Sequence, residues 1–228
     1  MNLRFKLAIM AVAFSTAGFS QSFPAGSTFL NSADPDAFQV RYVANLHVGS
    51  SFVDIVNTGA SATAASGFIT GGNICVQVYA FDNSEELLAC CTCRITPNGL
   101  ASIEVDDTPN GLFGNTETGA APSSGVIKLV ATADSAACGT SAAAETAGTL
   151  VPGMAAWATT LHQLVIPPGL PSTSTTYQQT ETPFSITGLS AGEYAHLTTF
   201  CSFDVVNGTK QGVCPGCSAT GLGAAAVQ

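Results

Sequence analysis

Between residues 74 and 81 apolar and polar positions alternate with period two. Ile74, Val76, Val78 and Ala80 fall on one face, and Cys75, Gln77, Tyr79 and Phe81 on the other. That period, carried by β-branched and aromatic residues, predicts a strand, and Asp82-Asn83-Ser84 supplies the turn that ends it. Residues 88–95 return as a second strand. Placing Phe81 opposite Leu87 brings Cys75 opposite Cys93, within reach of a cross-strand disulfide. A slip of one residue breaks that match, because it moves every side chain to the other face. Ser84-Glu85-Glu86 offers a competing conformation, a single helical turn capped by Ser84.

The same alternation marks strands at residues 38–48, 52–56, 100–105, 126–133 and 154–166. In residues 38–48, Phe38, Val40 and Tyr42 form the apolar set against Gln39, Arg41 and Val43, and His47 falls on the polar face as a solvated residue. Trp157, the only tryptophan, reads as a core anchor of the strand at 154–166. Pro97-Asn98-Gly99 is a turn. Residues 59–73 and 134–153 are rich in small residues and residues 106–125 in Gly, Pro, Asn and Thr; all three read as loops, the segment 134–153 pinned by Cys138. Residues 167–183 hold seven Ser/Thr and four Pro and read as a linker or exposed loop.

The helical period appears once. Ser190-Ala191-Gly192-Glu193 has the spacing of a capping box, with Leu189 and Tyr194 placed for a hydrophobic staple. Tyr194, Leu197, Phe200 and Cys201 then share a face, predicting a helix near residues 191–204. The chain is thus mainly β: an antiparallel β-sandwich of about seven or eight strands over residues 21–166. One C-terminal helix, within residues 184–228, packs on the same domain and is cross-linked to the cysteines.

Charge and cysteine usage add the compartment. Arg4 and Lys6 precede an apolar run of signal-peptide length, and Gly18-Phe19-Ser20 offers a cleavage point. Removing residues 1–20 leaves four basic residues against fifteen acidic ones, a net charge of −11. Such a surface repels nucleic acid, which excludes that class of partner. No later stretch has the length of a transmembrane anchor. Eight cysteines (Cys75, Cys90, Cys91, Cys93, Cys138, Cys201, Cys214 and Cys217) fit a disulfide framework in an exported protein. A thiolate metal site drawing on Cys90, Cys91, Cys93, Cys214 and Cys217 is the competing reading, as is a redox pair at Cys214-Pro215-Gly216-Cys217.

Gly188-Leu189-Ser190-Ala191-Gly192 also spells the G-x-S-x-G of a hydrolase nucleophile elbow. The only histidine downstream, His196, lies six residues from the serine on the same predicted helix, too close to complete a triad, so the helix cap accounts for the motif. His162 reads as structural. Glu104, Asp106, Asp107 and Glu117 supply oxygen ligands of the type calcium takes, without EF-hand spacing. Asn207-Gly208-Thr209 is a formal glycosylation sequon.

ICVQVYAFDNSEELLACCTCRITPNGL, together with LSAGEYAHLTTFCSFDVVNGTKQGVCPGC, resembles a group of secreted acidobacterial proteins. These share a strand–CCxC–TPNGL core and a terminal helix–CxxC segment. The resemblance implies an exported bacterial protein and carries no activity and no functional residue across. The expectation is therefore a secreted, non-enzymatic structural, adhesive or matrix protein without a cofactor, self-associating or bound to an extracellular polymer. A carbohydrate or calcium module using exposed aromatics such as Tyr79 or Tyr177 is the alternative, and a thiol redox or metal protein a further one.

Overall fold

The computed structural model describes residues 28–65, 68–106, 111–114, 122–139, 143–163, 177–206 and 217. The signal segment, Asp107, Glu117, the sequon and Cys214 lie outside them. A 3₁₀ turn at Pro35–Ala37 leads into strands β1 (Phe38–Ala44), β2 (Ser51–Asn57), β3 (Thr63–Ala65), β4 (Phe68–Thr70), β5 (Ile74–Asp82), β6 (Leu87–Ile95) and β7 (Leu100–Val105). Then come β8 (Ser124–Ala133), β9 (Met154–Gln163), β10 (Tyr177–Pro183), β11 (Ser185–Ile186) and helix α1 (Ala191–Val206). Two antiparallel sheets carry the fold, one ordered β11-β1-β8-β5-β6 and the other β10-β9-β2-β7, and β3 pairs with β4 alone. The protein is the expected mainly β sandwich with a C-terminal helix.

The alternation read from the sequence is what builds the interior. Val76, Val78, Ala80, Ile127, Leu129 and Ala131 of the first sheet meet Val53, Ile55, Ala101, Ile103, Ala156 and Ala158 of the second. Complete burial of each Val, Ile or Leu side chain among them contributes about 1.5–3 kcal/mol.

The first sheet is also buried on its outer face. There Tyr194, Leu197 and Cys201 of α1 pack with Phe38, Tyr79, Phe81, Leu87, Cys90 and Val130. This explains why β5 is buried at every position but its last: a sheet covered on both sides needs apolar residues on both faces.

Three expectations are corrected. Phe81 does sit opposite Leu87, but a bulge between Ala80 and Phe81 shifts the rest of the hairpin, so Arg94 faces Cys75 and Val76 faces Cys93. Cys75 and Cys93 therefore lie on opposite faces, and the turn 82–86 is a tight loop with Glu85 at φ 65° rather than a helical turn. In β1 it is Gln39, Arg41 and Val43 that turn inward, Val43 into the core and Gln39 onto the Met154 carbonyl, while Tyr42 stands 61% exposed. Third, part of the Ser/Thr/Pro-rich linker is a strand: Tyr177–Pro183 forms β10, paired with residues 157–163 of β9.

Buried amides tie the layers together. The Gln77 side chain donates to the carbonyls of Ala143 and Thr146, both at 2.8 Å, and accepts from the Tyr194 hydroxyl at 2.9 Å. The Tyr79 hydroxyl lies 2.8 Å from the Ala144 carbonyl and 3.1 Å from Gln77 Oε1. Asn57 donates to Gly72 and to Ile95 of the opposite sheet and accepts from the Gly59 N–H. Asn31 likewise donates to Pro35 and Thr187 and accepts from Leu189. Each amide meets its donors and its acceptor, which is the condition for burying it at no net cost.

Burial pushes the Tyr79 phenol up, with the charge of Tyr194 adding to the effect. Burial also raises Tyr194, against the hydrogen bond that the Gly148 N–H donates to its oxygen, which pulls it down. A group whose folded pKa is raised contributes stability below its unfolded pKa and loses it as pH climbs further. Urea midpoints are therefore expected to hold to about pH 10, the ordinary tyrosine pKa, and to fall above it. Tyr194→Phe should flatten that alkaline limb.

Candidate functional site

The cysteines converge on β6, an edge strand. Cys90 points to the outer face and is bonded to Cys201 of α1, with Cα atoms 5.8 Å apart. Cys93 points to the core face and is bonded to Cys217, Cα–Cα 5.4 Å, and Cys91 on that same face is disulfide-bonded as well. Cys75 on β5 reaches Cys138 in the loop after β8, Cα–Cα 5.8 Å, so the low-complexity segment is pinned as expected. No described cysteine is free. Cys217 bonds to Cys93 and not within its own C-x₂-C, which removes the basis for a redox pair there. The bonds engage Cys90, Cys91, Cys93 and Cys217 as disulfides, so these sulfurs are not thiolate ligands.

The G-x-S-x-G residues have structural roles. Ser190 Oγ accepts the Glu193 N–H at 3.0 Å, the N-cap bond, which contributes about 1 kcal/mol. The reciprocal half of the capping box is replaced, because the Glu193 carboxylate goes to Lys128 Nζ at 2.5 Å. Leu189 and Tyr194 are both buried in the cluster under the helix, as a staple requires. Gly188 is where the ring of Phe29 packs: a Cβ there would lie 2.5 Å from Phe29 Cδ2. Phe200 departs from the predicted face and stands 39% exposed, its ring edge-on to His196 with centroids 4.2 Å apart.

Other candidates are separated. His47 is exposed in the turn after β1. His162 is exposed near the end of β9, with Nε2 3.0 Å from Thr180 Oγ1. Tyr79 is fully buried and cannot serve as a ligand platform, whereas Tyr177 is 46% exposed. Ser50 Oγ donates to Glu104 at 2.5 Å and lies 3.3 Å from Asp106. Among the described residues no group of three or more His, Cys, Asp or Glu is placed to hold a metal ion.

What the geometry does assemble is a surface on the four-stranded sheet. With Val53, Ile55, Ala156 and Ala158 in the core, the alternate residues Phe52, Asp54, Val56, Trp157 and Leu161 occupy its other face. Asp54 accepts from the Ser102 hydroxyl in the middle of it. Trp157 is half-buried on this face and is not the core anchor expected. The two layers approach closely at β9, since Gln39 of the first sheet reaches the Met154 carbonyl at 2.8 Å. Alanines fit between the layers there, and the indole does not.

At the margin of this sheet runs β10, exposed at every residue but Thr182 and paired, among the described residues, with β9 on one side only. The other margins are occupied or short among the described residues. The Leu112 N–H bonds to the Glu104 carbonyl of β7, β6 is tied by Cys90, Cys91 and Cys93, and β11 has two residues. No described helix is long and apolar enough to cross a membrane. No protein-family model, curated protein or solved structure matches this chain.

Proposed function

We propose that this is an exported, non-enzymatic adhesive or matrix protein that assembles with copies of itself through β10. The observation that carries the reading is the seven-residue edge strand Tyr177–Pro183, whose outer side meets no described strand. An edge strand offers a row of unpaired N–H and C=O groups to another chain. Natural edges are usually blunted by lysine, a bulge or a covering element. Here the strand reads Tyr-Gln-Gln-Thr-Glu-Thr-Pro, with one charge and a proline only at its end. Gln and Thr are side chains that pair with their own kind across strands. Disulfides anchoring β5, β6 and α1 support an oxidising compartment. Only 9% of residues are charged, against about 25% in an average protein, so an interface between copies buries few charges once salt screens their net negative charge.

Proline placed in turn at Gln179 and Thr180 tests this. Neighbouring residues of an antiparallel strand direct their N–H groups to opposite sides. One of the two prolines therefore removes an outward donor without touching the β9 ladder. Sedimentation velocity on the oxidised protein should show oligomers that grow with concentration. One proline variant should remain monomeric with an unchanged melting temperature. A wild-type protein that is monomeric at every accessible concentration defeats the proposal.

A further inference from the structure

A second feature, independent of β10, lies on the outer face of the first sheet where α1 begins. A cavity of about 380 Å³ opens there between the turn after β5, strand β8 and the first turns of the helix. That volume is within the range of small-ligand sites, roughly 300–1,000 Å³. Phe81 and Val126 supply its apolar surface. Tyr42, paired with Val126 across β1 and β8, stands 61% exposed beside them.

The polar groups come from three separate elements: Asp82 and Glu85 from the turn, Lys128 from β8, and Glu193 and His196 from α1. Lys128 is already neutralised. Its ammonium is 2.5 Å from the Glu193 carboxylate and 4.9 Å from the centroid of the Phe81 ring. Only two ion pairs exist among the described residues, this one and Arg94–Asp134. The carboxylates of Asp82 and Glu85 therefore face the cavity without a described cation. Asp82 Oδ1 accepts the N–H groups of Ser84 and Glu86, at 2.7 and 2.9 Å, which fixes the turn that carries both acids.

Glu85 sits at φ 65°, a left-handed conformation in which Gly or Asn is the comfortable residue. Serving the backbone alone would favour one of those. A glutamate there puts a carboxylate at the mouth of the cavity at some cost in backbone energy.

We infer that this cavity binds a small organic ammonium ion, its charge held by Asp82 and Glu85 and its apolar body against Phe81, Val126 and Tyr42. Lys128 shows the chemistry in miniature, an ammonium held between a carboxylate and an aromatic face. Benzylammonium chloride is the probe, with benzyl alcohol as its uncharged counterpart, followed by calorimetry and by amide shifts in the oxidised full-length protein. Benzylammonium should bind in a one-to-one complex, and benzyl alcohol about tenfold more weakly. Glu85→Asn suits the backbone conformation and so keeps the fold, while weakening benzylammonium roughly fivefold. Glu86→Gln, an equal loss of charge outside the cavity, should leave affinity unchanged. Four results each overturn the inference: no benzylammonium binding, equal affinity for the alcohol, equal weakening by both variants, or Ca²⁺ taking the site with benzylammonium excluded at all concentrations.

Discussion

Gln77→Leu is expected to lower stability by about 3–5 kcal/mol, with the loss visible as a shifted urea midpoint in the oxidised protein. The substitution nearly conserves shape, so the effect is not a cavity. Gln77 is 2% exposed on the outer face of β5, under the 143–148 loop and α1. It is the common partner of the Ala143 and Thr146 carbonyls and of the Tyr194 hydroxyl. Leucine strands all three in a layer that water enters only by opening it. Each stranded buried group costs about 1–3 kcal/mol. Tyr194→Phe removes one of these bonds and should cost less, about 1–2 kcal/mol, while leaving Gly148 N–H to find water. Because the two side chains share a bond, the double variant should be less damaging than the sum of the singles. Strict additivity would mean that Gln77 and Tyr194 act separately and that the helix is held by apolar contact alone.

Deleting the Cys90–Cys201 bond as a pair of alanines should cost about 3 kcal/mol, despite the 111 residues that separate the two cysteines. The separation overstates the effect, because Cys93–Cys217 runs alongside. Cys90 and Cys93 are three positions apart and Cys201 and Cys217 sixteen, so the loop released while the neighbouring bond stays closed is at most about 20 residues. What is lost is local. Freed from β6, α1 keeps Tyr194 and Leu197 as its anchors, and amide exchange across residues 191–206 should accelerate well before the sheets open. Non-reducing peptide mapping of the wild type checks the premise, and should recover Cys75–Cys138, Cys90–Cys201 and Cys93–Cys217. If exchange rises equally in β2 and β8, the helix belongs to the same cooperative unit as the sandwich, and the local account is wrong.

Much of the architecture was legible because period two and period 3.6 are direct consequences of burial. β5, β6, β7, β8 and α1 lie within a residue or two of where the pattern placed them. Register was not legible. A bulge between Ala80 and Phe81 moves the hairpin by one residue, and nothing in the residue types there demands it. That single step sent Cys75 to the face opposite Cys93 and turned an apparent cross-strand pair into bonds with distant loops.

Trp157 was misplaced for a related reason: strand periodicity says which residues share a face, and only the spacing of the layers says which face can hold an indole. β10 escaped because a strand exposed on both faces carries no hydrophobic period at all. The candidate cavity was harder still. Asp82 and Glu85, Lys128, and Glu193 and His196 are spread over more than a hundred positions of sequence, and each reads alone as a solvated charge.

The buried amides have a consequence at the level of the medium. The layers are pinned by Gln77, Asn57, Asn31 and sulfur bridges, none of which dissolved ions weaken by screening. Arg94–Asp134, with side chains 42% and 29% exposed, lies at the surface, where such a pair adds little. Ionic strength should therefore leave the fold almost untouched. It should act instead between molecules: copies with a formal charge of −9 repel one another in dilute buffer and approach as salt shortens the range of that repulsion. One chain would thus stay folded alike in fresh water and in brine, and gather with its neighbours only in the second.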